Sequence, residues 1–267
     1  MSIKKIIVVI FILIIILAMA WLFRSRGYLK KIYIESRTEL KIPYYTGKGT
    51  ASNISFNNIN WVHRVDGIQR YFEVCEKYNG IEIDVNFDSK KNCFDVFHAP
   101  KPSINLCLDD LIKNIKNPEE TFYWLDFKNL DSTNYIEALN NLNGICKKFN
   151  IKNNLIVESS NPVLLTHFTD SGFYTSYYIF TFNPFTISDS LANDYYKKTC
   201  AILDKSRVCA ISSYSEQLVF MKHFPNYDFL IWNLESNKFW NNFFYKRYKS
   251  IKNVKVILVK DITKSYI

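Results

Sequence analysis

Residues 80–87, Gly-Ile-Glu-Ile-Asp-Val-Asn-Phe, are a short apolar run with two acids set into it. A run of this length and composition after a glycine reads as a buried strand. Side chains alternate between the faces of a strand, so Glu82 and Asp84 share one face while Ile81, Ile83 and Val85 share the other. Two carboxylates on one face of an apolar strand repel each other and lose hydration unless something compensates them. A divalent cation is the simplest compensation, because hard ions such as Mg²⁺ and Ca²⁺ prefer carboxylate oxygens. The alternative is an ordinary amphipathic strand whose acidic face is left to water.

The rest of the chain is organised around that strand. Before it come a first strand at 59–63 and a helix over 68–78, with Ile68, Phe72 and Cys75 at helical spacing. After it come an extended piece at 93–98, a helix over 106–115 and an aromatic-rich strand at 121–127. A helix over 135–149 follows, with Ile136, Leu139, Leu142 and Ile145 on one side. Strands then read at 155–157, 174–180, 208–212, 228–232 and 254–259, with helices between them, one of them capped by Ser188. Such alternation argues for a parallel sheet with crossover helices. With 267 residues, nearly half of them hydrophobic, the chain has material for one such domain and not for two large ones. Count and order predict a (β/α)₈ barrel of the TIM type. An open doubly wound sheet is the competing architecture, and it lacks a Gly-rich phosphate turn after the first strand.

An uninterrupted apolar run from Ile6 to Phe23, preceded by Lys4 and Lys5 and followed by Arg24 and Arg26, is just long enough to cross a bilayer. Residues 1–23 are therefore expected to be a transmembrane anchor, or a signal segment ending near Ala18-Met19-Ala20. Continuation through Trp21, Leu22 and Phe23 favours an uncleaved anchor; positive charge on both sides leaves the orientation open, and a secretory-type leader at the N-terminus makes a folded domain outside the cytoplasm the expectation. Residues 24–54, basic and then polar with Pro43, Gly47 and Gly49, read as a connector, and 55–267 as the barrel domain. The net charge of +9 is spread without a dense arginine cluster, which argues for a basic surface near anionic lipid or substrate and against nucleic acid. The six cysteines lack CxxC spacing, so a zinc site is not expected; Cys93 with Cys107 is a candidate disulfide.

Chemistry in such a barrel belongs at the C-terminal ends of the strands. His63 and Arg64 end the first strand, Glu82 and Asp84 lie toward the end of the second, and His98 ends the extended piece after it. Asp126 and Lys128, two apart, end the next, and Glu158 the one after. Singly, each has a plain structural explanation: a surface histidine, an ion pair, a helix cap. Together they supply a metal site, acid/base groups and cations for an anionic substrate, which is the equipment of metal-assisted phosphodiester cleavage.

His63-Arg64, Glu82-Ile83-Asp84-Val85, His98 and Asp126-Phe127-Lys128 resemble the motifs of the glycerophosphodiester phosphodiesterases, within the wider phospholipase-C-like phosphodiesterase barrels. The resemblance implies that His63 and His98 are the acid/base pair and that Arg64 binds phosphate. It further implies that Glu82, Asp84 and Asp126 hold Mg²⁺ or Ca²⁺, and that Lys128 meets charge developing in the transition state as well as binding substrate. The substrate implied is a glycerophosphodiester or a phospholipid-type molecule. Asp126 stands where the family more often has Glu, Val65-Asp66-Gly67 replaces its glycine and Pro-Glu-Asn segment, and Ala99-Pro100 follows His98 where Asp is common. The stretch from His98 to Pro102, the helix at 106–115 and Leu125 to Lys128 are also similar to the menorin branch of the same superfamily. A non-catalytic binding or adhesion module on the same barrel is therefore the competing function. The resemblance covers residues 59–130; beyond them only the alternating pattern continues it.

Overall fold

The computed structural model describes residues 3–25, 39–52, 54, 56, 59–234 and 238–261; Glu235 and the basic residues Arg26, Lys30 and Lys31 lie outside them. The order is α1 (Ile3–Ser25), β1 (Ile59–Val62), α2 (Ile68–Val74), β2 (Gly80–Asp88), β3 (Cys93–Val96), α3 (Leu108–Lys113), β4 (Phe122–Phe127) and α4 (Tyr135–Phe149). It continues with β5 (Leu155–Ser159), α5 (Pro162–Asp170), β6 (Tyr174–Tyr178), α6 (Asp189–Leu203), β7 (Ala210–Tyr214), α7 (Leu218–Met221), β8 (Asp228–Asn233), α8 (Lys238–Lys249) and β9 (Val254–Val259). All strands except β3 pair in parallel, in the order β1-β9-β8-β7-β6-β5-β4-β2, and β1 returns to pair with β2. That last pairing closes the sheet into an eight-stranded (β/α)₈ barrel and excludes the open sheet. β3 is antiparallel to β2, extending it beyond the barrel rim.

Alternation along the strands divides the core in two. Trp61, Trp124, Ile156, Tyr174, Leu230, Val256 and Leu258 point inward and pack around Phe56. Their neighbours point outward and meet the helices. Gly80 opens β2 because a Cβ there would overlap the Trp61 indole inside the barrel. Phe56 closes the N-terminal end of the barrel, with its ring edge-on to Trp61 at 5.5 Å and to Tyr174 at 5.0 Å.

Two helix faces differ from the sequence expectation. In α2, Tyr71 and Val74 are buried and Phe72 is exposed. In α4 the buried residues are Ala138, Leu142, Ile145 and Cys146, and Ile136 is exposed. Helical spacing offers several overlapping arcs, and packing against the sheet selects one of them. Ser188 caps α6 as expected, its hydroxyl accepting from the Leu191 amide at 3.3 Å.

The apolar side chains of α1 from Ile6 to Trp21 are exposed, as a segment facing lipid or a signal sequence requires. Within the stretch expected to be connector, residues 39–50 lie on the N-terminal end of the barrel. Leu40 and Ile42 are buried, and the amides of Tyr45, Gly49 and Thr50 donate to the carbonyls of His223, Asn226 and Val208 at 2.7, 3.2 and 2.9 Å. Gly49 permits this approach, since a Cβ there would come 2.6 Å from the Cys209 carbonyl oxygen.

His223 is buried in this seam, stacked on Tyr44 at 4.8 Å with Nδ1 3.2 Å from the Pro43 carbonyl. Burial lowers its pKa below the usual imidazole value, and the Pro43 carbonyl opposes the shift without cancelling it. Above about pH 6.5 folded and unfolded chains both carry neutral imidazole. Below it the unfolded chain protonates first, so stability falls with pH until the folded pKa is reached. Denaturation of wild type and His223→Gln at pH 7 and pH 5 is expected to show a smaller acid-side loss in the variant; equal losses would remove His223 as the cause.

Candidate active site

The C-terminal end of the barrel holds a cavity of about 1020 Å³ lined by His63, Arg64, Asp66, Asp84, His98, Asp126 and Lys128 among others. The parallel register sets the acids side by side: Asp84 is opposite Asp126, and Asp126 opposite Glu158. Glu82, Asp84 and Asp126 each present a carboxylate oxygen within 4.8 Å of the others. Lys128, two residues on from Asp126 on the same face, pairs with Asp126 and reaches Asp84 Oδ1 at 2.7 Å.

The turn after β1 wraps over β2. His63 Nε2 lies 3.8 Å from Glu82 Oε2, and the Arg64 amide donates to the same oxygen at 2.7 Å. Arg64 takes a φ of 62°, a left-handed conformation that costs a residue with a Cβ about 1–2 kcal/mol. Its guanidinium lies over the site, Nε 3.7 Å from Asp84 Oδ2 and Nη2 2.9 Å from His98 Nε2. A guanidinium only donates, so in this contact His98 Nε2 is the acceptor. The loop that brings His98 here is tied down at both ends: the Phe97 amide donates to the Asp84 carbonyl at 3.2 Å, and a Cys93–Cys107 disulfide closes it. Closing a loop of 14 residues contributes about 3 kcal/mol in the chain-entropy account.

Burial and crowding decide the charges. Burial, followed by the charges of Asp84, Asp66 and Asp126, raises the Glu82 pKa well above the usual carboxylate range. Burial also raises Asp126, against the pull of Lys128. Burial works against charge on Lys128, but Asp126 and Asp84 outweigh it and hold its pKa above the ordinary lysine value. His63 is lowered to about 4, by burial and then by the Arg64 charge, so it is neutral at pH 7 with a lone pair available.

These carboxylates fit a hard divalent cation. Three oxygen donors converge, and Asp84 Oδ2 is buried with no hydrogen bond among the described residues. Its cation partner, Arg64 Nε at 3.7 Å, is beyond hydrogen-bond reach, and a buried carboxylate oxygen without a hydrogen bond is one that a metal ion could meet.

Asp66 and the tyrosines of an aromatic wall were not legible as site residues, and Glu158 was read at its strand end without a role, with a helix cap as the plain alternative. Asp66 lies in a loop, where strand alternation says nothing; its Oδ1 accepts from the Asp84 amide at 2.9 Å, and burial, then the Asp84 charge, raises its pKa to about 7. Glu158 does not cap a helix. It is buried inside the barrel, where burial and the charge of Asp126 raise its pKa well above the usual value. An aromatic wall of Tyr178, Tyr214 and Trp232, from strands across the barrel, completes the cavity, with Trp232 5.0 Å from Tyr178 and 5.4 Å from Tyr214. Period two from Tyr174 and from Ala210 is the signal that would have placed both tyrosines inward.

No protein-family model matches the chain, and no curated protein does. Solved structures do. A glycerophosphodiester phosphodiesterase from Parabacteroides distasonis superimposes with a TM-score of 0.52 at 12% identity, covering 80% of this chain and 94% of that one. A phosphodiesterase from Oleispira antarctica, in complex with the product sn-glycerol-3-phosphate, gives 0.50 at 11% identity over 76% and 93%. At these identities the likeness is one of fold.

Proposed function

We propose that the barrel hydrolyses a phosphodiester of the glycerophosphodiester or phospholipid type, with one divalent cation, Mg²⁺ or Ca²⁺, held by Glu82, Asp84 and Asp126. The observation that carries this reading is the convergence of those three carboxylates with His63, Arg64, His98 and Lys128 in one cavity at the C-terminal end of the strands. The shared fold of glycerophosphodiester phosphodiesterase structures supports it. A bound ion would polarise the phosphoryl oxygens and lower the charge the protein must offset. Arg64 and Lys128 lie where they would neutralise charge building on the phosphoryl group. Of the two histidines, one takes the proton of the attacking hydroxyl or water, and the other gives one to the leaving oxygen. Burial keeps His63 neutral at pH 7, which leaves it a lone pair for the part of the base.

In this reading α1 anchors the domain to a membrane, and the barrel works outside the cytoplasm. The Cys93–Cys107 disulfide supports that placement, since disulfides persist in oxidising compartments. Wild type is expected to release a phosphomonoester from glycerophosphodiesters or lysophospholipids, measured by coupled phosphate release. His63→Asn and His98→Asn are each expected to lower kcat by about 10²–10⁴-fold with the fold intact by circular dichroism. A folded, metal-loaded wild type with no turnover on either substrate class would favour the binding module.

A further inference from the structure

Nine large apolar side chains of the described barrel residues stand in solvent; Tyr44 lies at the N-terminal end and Phe72 and Phe243 lie within α2 and α8, while the other six gather at one end. Ile104, Ile136, Val163, Phe180, Leu191 and Tyr214 are all between 40% and 62% exposed. Ile104 lines the cavity after β3. Ile136, Val163 and Leu191 stand in the first turns of α4, α5 and α6. Phe180 follows β6, and Tyr214 ends β7. Because α4, α5 and α6 each follow a parallel strand, their first turns and the strand ends share one end of the barrel, the end with the cavity. The six therefore form an arc around its mouth. Single exposed apolar residues are ordinary; their gathering on one functional face is not.

We propose that this rim is a membrane-docking face, and that its occupant is the surface of the bilayer in which α1 is anchored. One observation favours lipid over a protein partner, and a second permits it. First, α1 has the length and composition to cross a membrane, which would confine the barrel to that surface. Second, the chain reaches the barrel at its opposite end, through residues 39–50, yet residues 26–38 span at most about 45 Å when extended, more than the roughly 20 Å of a six-residue strand such as β4. The tether is long enough for the cavity to face the bilayer. Phe180, Leu191 and their neighbours would then enter the headgroup boundary as an apolar face does in a monotopic protein. Resting on the hydrolase reading above, the inference also names the substrate: a lipid drawn from the membrane plane.

Docking is tested without activity. The full chain is reconstituted in vesicles of phosphatidylcholine and phosphatidylglycerol, with the photo-crosslinker p-benzoylphenylalanine in place of Leu191 or, at the opposite end, Tyr44. Lipid adducts are expected at position 191 and not at 44. Lipid adducts at 44 alone, adducts to a second copy at 191, or none at 191 would each overturn the proposal. A second arm uses Phe180→Ser with Leu191→Ser, neither in the catalytic machinery. Turnover of vesicle-borne lysophospholipid is expected to fall about tenfold, with turnover of a soluble glycerophosphodiester unchanged. Equal losses on both would overturn the substrate claim. If nothing is hydrolysed, the hydrolase reading fails while the crosslinking result still decides docking.

Discussion

Asp84→Asn is expected to reduce phosphodiester hydrolysis by at least about 10³-fold and to abolish the thermal stabilisation that Mg²⁺ or Ca²⁺ gives the wild type. Asp84 is the centre of the ionic cluster: its oxygens face Lys128 at 2.7 Å and Arg64 at 3.7 Å, and its amide is held by Asp66. A metal's charge stabilisation is worth several kcal/mol, and each 1.36 kcal/mol is a factor of about ten. For an ion at about 100 times its dissociation constant, linkage adds about 2.7 kcal/mol to folding, or a rise of about 5–10 °C in Tm for a domain of this size. Melting curves in EDTA and in excess Mg²⁺ or Ca²⁺ measure it. Binding needs ionised carboxylates, and burial raises Glu82 and Asp126 above the usual range. Ion binding therefore releases protons, and the shift in Tm is expected to be larger at pH 8 than at pH 5.5. Identical metal-induced shifts in the two proteins would overturn the assignment of Asp84 as a ligand.

The site was legible where strand periodicity reaches it. Glu82 with Asp84, and Asp126 with Lys128, interrupt apolar strands two residues apart, and parallel pairing in register brought both pairs to one end of one barrel. His63, Arg64 and His98 were found because they stand next to strand ends, and the structure brings all three to the same cavity. Asp66 escaped because its orientation depends on a turn held by the Arg64 and Val65 amides, both of which donate to Glu82. Periodicity also failed to rank competing helix faces: Phe72 and Ile136 fit a helical stripe but lie outside the one the sheet covers. Cys93 and Cys107 were paired as one candidate among six cysteines; the hairpin of β2 and β3 is what brings their Cα atoms to 5.9 Å. Composition marked residues 24–54 as connector because they are polar and carry Gly and Pro. It could not weigh the few apolar residues among them, whose partners lie some 180 residues further on.

That weighting carries the second large effect. Removing residues 1–38 is expected to leave the melting temperature of the barrel unchanged, whereas removing 1–54 is expected to leave a chain that does not fold cooperatively. The shorter deletion takes α1, from which no side chain between Lys4 and Trp21 is buried. The longer one also takes Leu40 and Ile42, both buried, each worth about 1.5–3 kcal/mol. It removes the Tyr45, Gly49 and Thr50 amides that pair with the barrel's lower loops, at about 0.5–1.5 kcal/mol each. It further strands Phe56, the plug beneath Trp61 and Tyr174, at the frayed start of the chain. Together these losses approach the 5–15 kcal/mol that holds a typical domain folded. Denaturant titrations of the two truncations, with Phe56→Ala in the full chain as a third sample, separate the contributions; the point substitution alone should cost about 3–5 kcal/mol. Two truncations with the same midpoint would show that residues 39–54 rest on the barrel without stabilising it.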